Sequence, residues 1–152
     1  MTDAPVLSGW DGGQFATGRV QYFDHSGRHS GQSPRIFLEV RAGAFRLPVL
    51  AMVDTAAPWC IFKPEIGEFV RRTFEKVSGD VSLSTRLGTF GGSLYRGPLF
   101  LEASDDDGLG VEATVFVSPQ WRGPSFLGYE GLLQRIRFAV DPQANQFYFG
   151  GV

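Results

Sequence analysis

One carboxylate stands at the end of the most apolar stretch of the chain. Residues 47–53 carry no charge and run directly into Asp54-Thr55-Ala56-Ala57. An ionised carboxylate is costly to bury alone, so Asp54 must face a cleft, accept hydrogen bonds or meet a partner. A carboxylate held that way can exchange protons with a reacting group. The same residues also suit an ordinary turn shaped by Thr55 and Pro58. Taken alone they leave both readings open.

The remaining candidates for chemistry are weaker. His25 and His29 are spaced for a metal only if helical, yet they sit in a Ser/Gly-rich stretch with no third ligand type, which reads as a solvated loop. Asp105-Asp106-Asp107-Gly108 lacks the alternating oxygen ligands and closing Glu of a calcium loop and reads as an acidic turn. Cys60 has no evident helix N-terminus or base beside it, so a buried thiol is expected rather than a nucleophile. Gly91-Gly92-Ser93 lacks the glycine spacing of a hydrolase elbow, and no phosphate-binding loop occurs. Trp10, Trp59 and Trp121 are read as core or interface residues. No cofactor or metal is expected.

The elements that must position Asp54 are mostly strands. Residues 18–23 form a short strand, and 35–41 alternate with Ile36, Leu38 and Val40 on one face. Ala42-Gly43-Ala44 makes a turn, and 47–53 reads as a strand buried on both faces, with Pro48 toward an edge. Pro64 opens a helix on which Ile66, Phe69, Val70, Phe74 and Val77 recur at helical spacing, ended by Ser78-Gly79-Asp80. Val81, Leu83, Thr85 and Leu87 alternate as a strand, Gly88-Thr89-Phe90-Gly91-Gly92 looks like a hairpin tip, and 93–103 is the return. Val111, Ala113, Val115 and Val117 line the next strand, a short helix covers 129–135, and a final hairpin joins 137–140 to 146–149. The sum is an all-β closed sheet with one medium and one short helix.

The bulk numbers limit the function classes. At 152 residues and 43% hydrophobic, the chain suits one domain, 1–152, with 1–13 and 24–33 expected to be the loosest stretches. A formal charge of −2, with only short basic spots at Arg71-Arg72 and at Arg135 and Arg137, argues against a nucleic-acid partner. No apolar run reaches the ~20 residues of a membrane span, and the first residues do not resemble a signal peptide. A single cysteine permits no intrachain disulfide, so a reducing, cytoplasmic compartment is expected.

A second segment pairs with the Asp motif. Phe126-Leu127-Gly128-Tyr129-Glu130-Gly131-Leu132-Leu133 sets two large apolar residues and a glycine before a short apolar helix. Together with Leu50-Ala51-Met52-Val53-Asp54-Thr55-Ala56-Ala57, and with the glycine-rich stretch 87–94 between them, this resembles the retropepsin-like aspartic proteases. The three elements follow the family's order, over roughly residues 35–149. The resemblance implies a closed β-barrel of the acid-protease type, working as a homodimer on a peptide or protein substrate. Each chain has a single such Asp, so the site would join two Asp54 carboxylates that share a proton and titrate as a coupled pair. One would act as general base on a water while the other polarises the scissile carbonyl. Thr55 would bond across the dimer, and Ala56 would offer its carbonyl to substrate. Ala57, Thr89, Phe90, Gly91 and Gly92 would contact substrate, the hairpin around Phe90 and Gly91 closing over the cleft. The family usually has Gly where this chain has Ala56, a change that adds a methyl and restricts the backbone. Trp59 is also large for its position.

Two other functions compete. A non-catalytic peptide-binding or scaffold module that kept the fold would bind without turnover. An unrelated small barrel for an apolar ligand would use some of the 14 Phe, although a plain core uses them equally well.

Overall fold

In this computed structural model, residues 6–15, 18–25, 35–104 and 108–152 are described. Two short strands come first, β1 (Leu7–Ser8) and β2 (Gln14–Phe15), paired antiparallel. β3 (Gly18–Gln21) joins the C-terminal hairpin described below. The remaining expectations for 1–13 and 24–33, and those for His29 and Asp105 to Asp107, fall outside the described residues.

β4 (Phe37–Ala42) follows the alternation read from its sequence, with Leu38, Val40 and Ala42 buried and Glu39 in solvent. Gly43 then turns the chain with φ +52, a left-handed conformation that glycine adopts freely. β5 (Val49–Val53) is shorter than expected: Val49 and Ala51 are buried, but Leu47 is 59% exposed. Pro48 cannot donate to a ladder and lies just outside the strand. β6 (Cys60–Ile61) leads into α1 (Pro64–Thr73). Pro64 stands at the helix start, Glu65 in the first turn, and Arg71 and Arg72 in the last, each favoured by the helix dipole. Ile66 and Val70 face the core, and Phe69 meets Phe45 edge-on at 5.1 Å.

The helix ends earlier than the apolar spacing suggested. Phe74 turns extended, its N–H bonding the Val70 carbonyl, and its ring packs over Gly97, where a Cβ would come within 2.5 Å of that ring. The chain then enters β7 (Glu75–Thr85), so Val77 lies on a strand, 41% exposed, rather than on the helix. Ser78-Gly79-Asp80 does not stop a helix. It makes register shifts in β7, with Asp80 at φ 54.

β7 pairs with β8 (Gly88–Leu101), and β8 with β9 (Leu109–Val117). The tip of the β7–β8 hairpin is Arg86-Leu87, so Gly88-Thr89-Phe90-Gly91-Gly92 forms the start of the returning strand and not the tip. β10 (Phe126–Leu127) follows, and the expected helix over 129–135 contracts to a 3-10 turn, Leu133–Arg135. The final hairpin is β11 (Ile136–Asp141) and β12 (Gln146–Gly151), on whose far side β3 lies.

The large sheet runs β4-β5-β10-β6-β9-β8-β7, and β4 also pairs with β8 through Val40↔Leu101, Arg41↔Phe100 and Ala42↔Leu99. That pairing closes a barrel and leaves β7 outside it as one arm of a long hairpin. The all-β closed barrel expected from the sequence is therefore the architecture observed. Val40, Ala51, Cys60, Leu99, Ala113, Val115, Leu127, Phe147 and Phe149 are fully buried and fill the interior. A smaller apolar cluster of Ile61, Leu83, Phe116 and Trp121 joins the base of the hairpin to the barrel. No helix among the described residues is long and apolar enough to cross a membrane.

Candidate functional site

Asp54 follows β5 where that strand leaves the barrel, and its loop is held by backbone bonds to the segment after residue 124. β10 inserts between β5 and β6, parallel to the first (Phe126↔Met52, Leu127↔Val53) and antiparallel to the second (Phe126↔Ile61). Met52 N–H donates to the Ser125 carbonyl at 2.9 Å, and Asp54 N–H to the Leu127 carbonyl at 3.0 Å. Beyond Asp54, Tyr129 N–H donates to the Ala57 carbonyl at 2.7 Å and Gly131 N–H to the Pro58 carbonyl at 3.0 Å. The two sequence segments singled out above thus form one interlocked unit.

The glycines of the second segment have a steric cause. A Cβ on Gly128 would collide with the Trp59 carbonyl and lie 2.8 Å from the Trp59 nitrogen. A Cβ on Gly131 would lie 2.5 Å from the Thr114 carbonyl oxygen and 2.7 Å from the Cys60 nitrogen. Neither backbone can retreat without breaking the sheet, so the segment approaches the Asp loop only as glycine.

Within the loop, the Asp54 carboxylate accepts a hydrogen bond from Ala56 N–H at 3.0 Å, and Ala57 N–H donates to the Asp54 carbonyl at 3.2 Å. The turn reading of Asp54 is therefore correct as local geometry, and the carboxylate is half-buried at a cleft all the same. Thr55 is exposed. Among the described non-glycine residues only Asp80 and Asn145 have positive φ. The backbone at Ala56 accordingly carries none of the strain that a missing glycine suggested, and its methyl is exposed.

The cleft has a volume of about 580 Å³. Asp54, Ala56 and Ala57 line it on one side, and Leu83 to Leu87 of the hairpin on another. Trp59, Ile61, Trp121 and Phe126 supply apolar wall, and Arg35 and Arg86 the cations. The hairpin therefore does reach the Asp loop, though with β7 and the tip. Of the hairpin residues expected to contact substrate, Thr89 pairs with Ser84, their hydroxyls 3.2 Å apart, and Gly91 with Ser82. Phe90 packs edge-on against Trp121 at 5.2 Å, which fastens the hairpin to the cleft wall. Gly92 is half-buried in strand packing: a Cβ there would strike the Val117 carbonyl and sit 2.9 Å from the Phe116 ring.

Sequence reasoning missed Leu83, Trp121 and Arg35 as cleft residues. Leu83 was visible as an inward position of an alternating strand. Trp121 and Arg35 reach the cleft only through the barrel topology.

The Cys60 thiol is fully buried, and burial pushes its pKa up to about 12, so the thiolate needed for nucleophilic chemistry is absent near neutrality. His25 is exposed, with Nδ1 2.7 Å from Asp24, whose carboxyl is held below its usual range first by that bond and then by Asn145. Trp121 is buried and Trp59 partly so, stacked on Phe116 at 5.8 Å, but Trp10 is fully exposed and belongs to no core.

These features define a closed β-barrel with one aspartate presented from an interlocked loop into a cleft lined in part by the hairpin. Two solved structures are similar to it. One is a retropepsin-like aspartic protease from Rickettsia conorii, at 14% identity over 88% of this chain and 90% of that one, with a TM-score of 0.46. The other is EIAV protease complexed with the inhibitor HBY-793, at 15% identity over 70% and 91%, with a TM-score of 0.44. At these identities the likeness is one of fold. No protein-family model matches the sequence, and no curated protein does.

Proposed function

We propose that this chain is a retropepsin-like aspartic endopeptidase that works as a homodimer, with the Asp54 of each protomer meeting at the twofold axis. The observation that carries the reading is the interlock itself. Met52-Val53 runs beside Phe126-Leu127, and Gly128 closes on Trp59, so that Asp54 emerges at the edge of an apolar cleft.

The chemistry then follows from two facing carboxylates. Both cannot ionise readily at close range, so one keeps a proton. The ionised Asp54 takes a proton from a bound water, and that water attacks the scissile carbonyl. The protonated Asp54 of the other protomer donates a hydrogen bond to the carbonyl oxygen and so favours the tetrahedral intermediate. Thr55, exposed beside it, is free to bond across the axis. Ala56 and Ala57 offer main-chain groups to an extended peptide, and the Arg86-Leu87 tip covers it from above and reduces access of bulk water.

The test is cleavage of a diverse peptide library by the wild type beside Asp54→Asn, across about pH 4 to 8. Dimerisation is followed by sedimentation. Cleavage confined to the wild-type dimer is expected. Undiminished cleavage by a folded Asp54→Asn protein would remove Asp54 from the mechanism. Peptide binding without turnover by the wild type would leave the binding-module reading.

A further inference from the structure

The cleft that holds Asp54 pairs an apolar wall with two unneutralised cations. Its buried or half-buried wall is formed by Met52, Trp59, Ile61, Trp121 and Phe126. Arg35, just ahead of β4, and Arg86, at the hairpin tip, line the same cleft from separate elements, and both are exposed. Asp54 is the one carboxylate in the lining, and it already accepts the Ala56 N–H.

Several other arginines of this chain are engaged within the protein, and Arg46, Arg96 and Arg137 do not line this cleft. Arg71 sits on Glu68, and Arg135 donates to the Glu130 and Glu112 carbonyls and to the Thr114 hydroxyl. Neither the Arg35 nor the Arg86 guanidinium has an ion-pair or hydrogen-bond partner among the described residues. One solvated arginine carries no message. Two of them, brought by different elements to a cleft with an apolar wall, form a complementary mould. It fits a large apolar side chain flanked by carboxylates, which a guanidinium grips bidentately.

We propose that this cleft selects peptides in which a large apolar residue is flanked by acidic residues, with Arg35 and Arg86 as the specificity determinants. The fate of such a peptide rests on the endopeptidase reading above, whereas its capture does not. In a homodimer each protomer brings the same pair, so acidic residues are favoured on both sides of the bond to be cut. The cations also steer acidic segments toward the cleft, an effect that salt weakens.

The experiment measures binding and cleavage separately. Asp54→Asn protein holds peptides uncut, and three capped octapeptides are titrated against it by tryptophan fluorescence. Each has a central Phe-Leu pair flanked by glutamates, by glutamines or by lysines. The glutamate peptide is expected to bind about fivefold tighter than the glutamine one at low ionic strength, the sum of two exposed ion pairs, and the lysine peptide weakest. The margin should shrink at about 0.5 M salt. Adding Arg35→Glu and Arg86→Glu, both exposed and tolerable to the fold, should move the preference to the lysine peptide. Equal binding of the glutamate and glutamine peptides overturns the inference, as does a glutamate preference that survives the double reversal. Wild-type protein is then given the same peptides. Selective binding without cleavage upholds this inference and defeats the protease reading. Cleavage with no charge preference defeats this inference alone.

Discussion

Gly128 lies against the backbone of Trp59 so closely that a Cβ on it would overlap the Trp59 carbonyl carbon and oxygen. This contact locks the segment after β10 onto the loop after Asp54. The Tyr129-to-Ala57 bond at 2.7 Å and the Gly131-to-Pro58 bond at 3.0 Å extend the lock on either side. Gly128→Ala should therefore cost about 1–3 kcal/mol, as overpacking against an immovable backbone does. Chemical denaturation would read the loss. Gly151→Ala, where an added Cβ meets nothing within 4 Å, is the control and should change little.

Ala56 stands where the resembled family usually has glycine, yet its backbone conformation is open to any residue. Ala56→Gly should then lower stability by about 0.4–1 kcal/mol, because glycine has more freedom to lose on folding. Peptide cleavage should persist. If the substitution instead raised cleavage sharply at unchanged stability, the methyl would be obstructing substrate.

Much of the barrel was legible because its signals are local. The alternation of Leu38, Val40 and Ala42, and of Val111, Ala113 and Val115, marks inward faces whatever the topology. Pro64 marks a helix start by its missing N–H. The Asp54 and Gly128 segments could be matched as motifs, and the structure supplies the steric reason for the second. The misread elements had non-local causes. Phe74 leaves the helix because Gly97, far along the chain, opens a slot for its ring. Gly92 looked like part of a hairpin tip, but it is glycine because the Val117 carbonyl leaves no room for a side chain. The true tip is set by Thr85, whose hydroxyl accepts from Leu87 N–H at 3.0 Å and donates to the Gly88 carbonyl at 3.1 Å. A glycine in a strand can signal close approach as readily as a turn.

Cys60 makes stability depend on alkaline pH. Its thiol, at 9.0 when freely solvated, is raised to about 12 by burial in the fold. The unfolded chain therefore loses this proton first. The contribution is fully present below pH 9.0 and declines between there and about pH 12, at roughly 1.4 kcal/mol per pH unit. Cys60→Ala should flatten this part of the profile relative to wild type when urea midpoints are compared at a series of pH values. Thiol reagents at pH 8 should label the unfolded chain and leave the native one untouched. Rapid native labelling would show that the β6 strand opens readily.

The base of the hairpin is packed while its tip is exposed at the cleft, and two substitutions should separate their roles. Phe90 holds the hairpin to Trp121 at 5.2 Å, and Leu83 of the opposite arm is buried beside them. Leu87, at the tip, is 67% exposed yet lines the cleft. Phe90→Ala removes an edge-on ring pair worth about 0.5–1.5 kcal/mol beyond its buried area. It should lower global stability and speed hydrogen exchange along β7 and β8. Leu87→Ser deletes no packed contact, so its stability should stay within about 0.5 kcal/mol of wild type. Its effect should appear in peptide KM, which rises because the tip no longer covers an apolar side chain, while kcat is largely kept. A Leu87→Ser protein with unaltered KM would mean that the tip does not touch substrate. The hairpin would then act through its base at Phe90 alone.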